Sequence, residues 1–342
     1  MSHALTEPAL EEALSRPSDA LVADLAQLEG DIVILGAGGK MGPTLARMAR
    51  RALDLADGAE RRVVAVSRWS DEDTATRLRE AGVVTATASL GLSHDPAELP
   101  DAQNVVYMVG AKFGSAGRPA QTWATNTVLP ALIGRRYTDA RMAAFSTGNV
   151  YPLVAPGTGG CTETDEVGPI GEYAMSCLGR ERAIENAAAE HGLRASIIRL
   201  NYAVEPRYGV LCDIAQTLLS GEPVDLGVGY VNVVWQRYAN EVALRSLVHA
   251  HTTPFIVNVA GPETVPVQRA AEQLADLLGV TARFEGEPGE TALLSNGARA
   301  HDLFGYPDES VDGLIRMQAE WLLHSGRTLG KPTKFQRRDG RF

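Results

Sequence analysis

The residues with the clearest chemical potential lie early in the chain, in Gly36-Ala-Gly38-Gly39-Lys40-Met41-Gly42. An apolar run, Asp31-Ile-Val-Ile-Leu35, leads directly into them. Beyond them, positions 41, 45, 48, 49, 52 and 53 put apolar side chains on one helical face. Strand, glycine turn and helix in that order make a phosphate-binding device. Glycine lets the backbone turn tightly and approach a diphosphate. The helix N-terminus adds free N–H groups and the positive end of its dipole. The turn from Gly36 to Gly42, Lys40 and Met41 included, is therefore expected to grip a dinucleotide.

A second informative position is the end of the next strand, Arg62-Val-Val-Ala-Val-Ser67. A carboxylate there would accept hydrogen bonds from the ribose of NAD, whereas Arg would pair with the extra phosphate of NADP. The chain supplies Ser67, Arg68 and Trp69, and its first acid, Asp71, comes later. NADP is thus expected in preference to NAD, with Ser67 and Arg68 as phosphate ligands.

These residues need a frame. Further apolar strands are expected at Val83 to Ala88, Asn104 to Val109, Met142 to Ser146 and Ala195 to Leu200. Helical periodicity covers Thr127 to Arg136 and Ala174 to Glu190. Unbroken apolar strands separated by helices predict an α/β fold, a doubly wound parallel sheet of Rossmann type. Its ligand crevice lies at the C-terminal ends of the strands. Residues 1–29 read as a helical extension that covers the main domain, with Leu21, Leu25 and Leu28 on one face. The dinucleotide-binding domain is expected over 30–205, with a returning segment near 228–262. Prolines punctuate the remainder, and 206–227 with 263–330 read as a smaller C-terminal substrate-binding lobe, including helices at Gln268 to Leu278 and 311–323. Residues 331–342 read as an extended basic tail.

Composition narrows the function classes. The 342 residues carry a net charge of −10 and no clustered basic run, which argues against nucleic-acid partners. No stretch approaches the ~20 apolar residues of a membrane span. Cys161, Cys177 and Cys212 lack metal-ligand spacing and fit reduced thiols in a cytoplasmic protein. His249 and His251 lack a third ligand pattern, so no metal site is expected.

Four landmarks together carry a resemblance: the Gly36–Gly42 turn, Asn126, Ser146-Thr-Gly-Asn-Val-Tyr-Pro152 and Tyr173-Ala-Met-Ser176. Arg199-Leu-Asn-Tyr-Ala-Val-Glu-Pro206 and Asn258-Val-Ala-Gly-Pro-Glu263 extend it. In order and spacing the chain resembles the extended short-chain dehydrogenases, the NAD-dependent epimerase/dehydratase group, over roughly residues 30–325. The resemblance implies hydride transfer on a sugar or sugar-derived hydroxyl compound, and a homodimer built through the helices that carry Asn126 and Tyr173. It places Tyr173 at the proton-carrier position, Thr147 at the substrate-orienting hydroxyl and Asn126 at a supporting helix position. The chain past the fourth strand, Val109 and Gly110, would run along the dinucleotide.

One position departs from the family. Its Lys, four residues beyond the Tyr, is Cys177 here. A thiol provides no fixed positive charge to lower the phenol's pKa. Lys112, in Gly110-Ala-Lys112-Phe-Gly114, is expected to supply that charge from another strand end. The alternative is a cofactor-binding sensor or scaffold with little catalysis.

Overall fold

The computed structural model describes residues 5–112, 114, 117–324 and 326–341. Phe113 of the Gly110–Gly114 stretch and the terminal Phe342 lie outside the described residues. A seven-stranded parallel sheet forms the centre. Its strands in chain order are β1 (Ile32–Leu35), β2 (Val63–Ser67), β3 (Val84–Thr87), β4 (Asn104–Tyr107), β5 (Arg141–Thr147), β6 (Arg194–Leu200) and β7 (Phe255–Val259). They lie side by side as β7-β6-β5-β4-β1-β2-β3. The order reverses between β1 and β4, which opens a crevice above the sheet's C-terminal edge. β1, β2 and β4 are apolar and buried on both sides, because helices cover both faces. The strand Phe255–Val259 pairs in parallel register with β6, Ile256 opposite Ile197, so the chain returns to the main sheet after residue 200.

Helix α1 (Glu7–Ser15) is capped by the Thr6 hydroxyl, and α2 (Asp19–Ala26) by that of Ser18. They bury Leu10, Leu14, Leu21 and Leu25 completely. Both pack on α3 (Gly42–Leu55). Leu28 is also buried, but it follows the end of its helix instead of sitting on it. α4 (Glu72–Glu80) starts at Asp71, whose carboxylate accepts from the amides of Asp73 and Thr74.

The helix expected from Thr127 begins earlier. It runs as α5 (Pro119–Trp123), one π-turn over Ala124–Val128, then α6 (Leu129–Arg136). The wider turn holds Asn126, and π-turns of this kind commonly mark functional positions. α7 (Gly171–His191) follows the loop after β5. Beyond β6, α8 (Val210–Ser220), α10 (Val267–Leu278) and α12 (Val311–Leu323) pack together, α9 (Gln236–Arg245) packs on α3, and α11 (Ala298–Phe304) packs on β7 and α9. The last segment has no regular structure, yet it folds back onto the body and buries Thr333 and Phe335. Among the described residues, no helix is long and apolar enough to cross a membrane.

Candidate functional site

The glycine turn follows β1 directly. Gly36 has φ +89°, and a Cβ there would stand 3.0 Å from the Val109 amide. At Gly42 a Cβ would stand 2.2 Å from the Ala37 carbonyl, so only glycine lets α3 begin this close to β1. Met41 provides no side-chain cap to α3. The first-turn amides are therefore left to serve the oxygens of a ligand.

A cavity of about 630 Å³ opens above this turn. Gly36, Gly39, Lys40, Met41, Gly42 and Arg68 line one end, and Gly110, Lys112, Thr147 and Tyr173 the other. A second cavity of about 350 Å³ continues past Gly38 and Ser67 towards Arg47 and Arg77. Val109 lines neither; it packs behind Gly36. Asn126 also stands behind the wall, fully buried.

Asn126 connects the far end. Its Oδ1 accepts from the Ala111 amide at 2.8 Å, and its Nδ2 donates to the Ala111 carbonyl at 2.9 Å and to Ser176 Oγ at 2.9 Å. Ser176 Oγ in turn donates to the Tyr173 carbonyl at 2.8 Å. One amide thereby ties the loop carrying Lys112 to the helix carrying Tyr173. The Lys112 ammonium lies 5.8 Å from the Tyr173 ring centre. Tyr173 shares side-chain hydrogen bonds with Thr147 and Cys177.

Burial dominates the electrostatics here. It holds the Tyr173 phenol above its ordinary range; Arg180 and Thr147 act in the opposite direction. It lowers Lys112 to about 8. It lowers Lys40 to about 7, aided by the charges of Lys112 and Lys331 and opposed by Asp213. The Lys40 ammonium sits 3.2 Å above the Tyr208 ring centre. Burial likewise raises the Cys177 thiol, which keeps it an uncharged packing group.

Arg180 was not anticipated from the sequence. It lies seven residues beyond Tyr173, two helical turns along the same face, and that spacing was the available signal. Its guanidinium donates to the Phe145 carbonyl at 2.6 Å and to Asn126 Oδ1 at 2.9 Å, and it lines the main cavity. Lys331 and Thr333 of the tail line that cavity too, and no local pattern pointed to them. Tyr202 lines it as well, whereas Trp235 is buried in the core and Arg207 pairs with Glu205 and Glu11. His249 stacks on Phe255 and meets the edge of Phe304.

Beside the cavity wall runs a buried polar network. Arg199 pairs with Glu181 at 2.8 Å and donates to Tyr151 Oη at 2.7 Å; Tyr151 donates to Asn258 at 2.9 Å. Ser146, adjacent to Thr147, donates to Glu181. Tyr151 is thus a structural link between β5, β6 and β7.

The residues present fit a dinucleotide. The glycine cradle admits no Cβ at Gly42, uncapped amides face the cavity, and five cations line it (Lys40, Arg68, Lys112, Arg180 and Lys331). The strand order and this crevice define a Rossmann-type α/β chain. The family described as "NAD dependent epimerase/dehydratase family" matches residues 32–235, more than half of the chain, and the protein belongs to it. No curated protein matches the sequence. Among solved structures, the chain is similar to MoeE5 in complex with UDP-glucuronic acid and NAD, at 18% identity and TM-score 0.69, covering 86% of this chain and 100% of that one. It is similar to the UDP-glucuronic acid 4-epimerase from Bacillus cereus in complex with UDP-glucuronic acid and NAD, at 15% identity and TM-score 0.71, covering 86% and 99%. The UDP-glucose 4-epimerase from Thermotoga maritima with UDP-glucose gives 16% identity and TM-score 0.68, again covering 86% and 99%. At these identities the likeness is one of fold.

Proposed function

We propose that the protein is a nicotinamide-dependent oxidoreductase or epimerase/dehydratase acting on a sugar or sugar-derived hydroxyl compound. The observation that carries this reading is convergence. Tyr173, Thr147 and Lys112, from three separate elements, line the same cavity as the Gly36–Gly42 turn. When bound, the nicotinamide would supply the hydride acceptor. Tyr173 Oη would carry the hydroxyl proton, and Thr147 would orient the substrate oxygen beside it. Lys112 and Arg180 would stand in for the charge missing at Cys177, with Asn126 positioning both.

The adenosine end favours NADP over NAD. Ser67 lines the smaller cavity with Arg47 and Arg77, and with Glu7, Glu11 and Asp71, while Arg68 lines the main cavity at the phosphate turn. The nearest acid after β2, Asp71, is engaged in capping α4 and is held below the usual carboxylate range chiefly by its bond from Thr74. Relatives of similar fold carry NAD, so dissociation constants for the two coenzymes test this point; tighter NAD binding refutes it. A homodimer through α5, α6 and α7 is supported by Trp123, Val128 and Met175, large apolar side chains exposed on those segments.

The second reading, a sensor with little catalysis, is favoured by burial, which raises the Tyr173 phenol. Turnover with a panel of sugars and sugar acids separates the two. We expect Tyr173→Phe to lower turnover by about 10²–10⁴ with cofactor affinity little changed. Firm cofactor binding without turnover across the panel would establish the sensor.

A further inference from the structure

The tail after α12 is fastened on both sides of one lysine. Thr328 Oγ1 accepts from Gln216 of α8 at 3.1 Å, and Leu329 N donates to the Arg207 carbonyl at 2.9 Å. Gly330, at φ +60°, turns the chain, and Pro332 disfavours helical backbone at Lys331. Asp213, also on α8, then holds Thr333: its Oδ2 accepts from Thr333 N at 2.7 Å and from Thr333 Oγ1 at 2.6 Å. Beyond these, Phe335 is only 1% exposed, and Arg338 donates to the Thr291 hydroxyl at 2.7 Å. Gly340 lies against the Ile170–Gly171 backbone, where α7 begins. Lys331 thus sits midway between two fixed points, Leu329 and Thr333.

That midpoint lies where the two cavities meet. Gly39, Lys40 and Lys331 line both the main cavity and the smaller one. Gly39 and Lys40 belong to the phosphate turn, whereas Lys331 comes from a segment tied to α8. Tyr173 and Lys112 line the main cavity, and Ser67 and Arg77 the smaller. A dinucleotide that reaches both ends must pass its diphosphate through the junction between them. Lys40 and Lys331 bring like charges to that junction, a repulsion that an anion between them would turn into attraction. The N-terminal helix adds to the same hold: Arg327 donates to Glu7 of α1 at 2.9 Å, and both line the smaller cavity.

Resting on the reading above, we propose that Lys331 is a coenzyme ligand: the tail carries its ammonium to the diphosphate, facing the Gly36–Gly42 turn, and Asp213 is the residue that positions it. The dinucleotide is gripped by backbone amides of the main domain on one side and by a side chain anchored to the lobe on the other. The C-terminal segment is therefore part of the coenzyme site.

The test is calorimetric titration of the full-length protein with NAD, NADP and ADP-ribose, which share the diphosphate. Lys331→Gln should weaken all three by a similar factor, about two- to fivefold, the loss expected for one exposed ion pair. Lys331→Arg should restore most of it. Lys331 is exposed, so the urea midpoint of the free protein should not move. A loss confined to NADP would assign Lys331 to the 2′-phosphate and overturn the proposal, as would wild-type affinity in Lys331→Gln.

Asp213→Ala separates anchoring from charge. Asp213 bears on Lys40 and Lys112, so removing its carboxylate should by charge alone tighten an anion. Loss of the anchor should instead weaken NAD about two- to fivefold, and only while Lys331 is present. Tighter NAD binding in Asp213→Ala, or equal weakening in the Lys331→Gln background, would show that Asp213 does not position Lys331. Wild-type protein that takes up none of the three ligands would sink the functional reading as well; uptake indifferent to Lys331 would sink only this proposal.

Discussion

Asn126 hydrogen-bonds both polar groups of Ala111, accepting from its amide at 2.8 Å and donating to its carbonyl at 2.9 Å. The same side chain reaches Ser176 and Arg180 on α7. It acts as a buried clamp that sets the distance between Lys112 and Tyr173.

Asn126→Ala leaves the Ala111 peptide and one Arg180 donor without their partner. The loss of stability should be about 1–3 kcal/mol, the usual penalty for stranding buried polar groups. Urea denaturation measures it. Turnover should fall more than stability accounts for, because Lys112 is released from its place over the Tyr173 ring. Full activity in a folded Asn126→Ala protein would show that the clamp positions nothing.

Lys112 makes stability depend on pH in a defined direction. Burial lowers its folded pKa from 10.5 to about 8. Between those values the unfolded chain binds the extra proton, so unfolding free energy rises with pH across that window. Lys40, lowered to about 7, adds to the same slope from lower pH. Denaturation midpoints of the wild type should climb from about pH 8 to about pH 10, and Lys112→Met should flatten the climb. An unchanged slope in the variant would place the Lys112 ammonium in water.

Coenzyme binding should have the opposite dependence. At pH above about 7, Lys40 in the free protein is largely neutral, and gripping a diphosphate must draw a proton onto it. Affinity is therefore expected to decline as pH rises through that value, with proton uptake visible when binding heats are compared in buffers of different ionisation enthalpy. Lys40→Met should bind more weakly near pH 6, by about 1–2 kcal/mol if the charge-assisted bond is lost, and show little further decline.

The Glu181–Arg199 pair is almost fully enclosed, with side chains 0% and 3% exposed. Glu181→Ala strands the guanidinium, and removing one partner of such a pair costs about 3–5 kcal/mol. Thermal unfolding should report the loss directly. Replacing both residues with apolar ones of similar volume should recover much of it, although Tyr151 would lose its Arg199 donor.

Local patterns carried a large part of this molecule. The run Ile32–Leu35 followed by glycines, and the apolar periodicity of α3, determine a strand, a phosphate-type turn and a helix with few alternatives, because each rests on interactions between near neighbours. Motif order alone pointed to Tyr173 and Thr147, which line the same cavity as the glycine turn. Tertiary structure decided the rest. Whether Lys112 reaches Tyr173 depends on a clamp between residues far apart in the chain, and the tail's burial of Phe335 depends on a surface assembled from α7, the lobe and the loop around Thr291. Neither follows from hydrophobic periodicity, which reports which face of an element is buried but not what is packed against it.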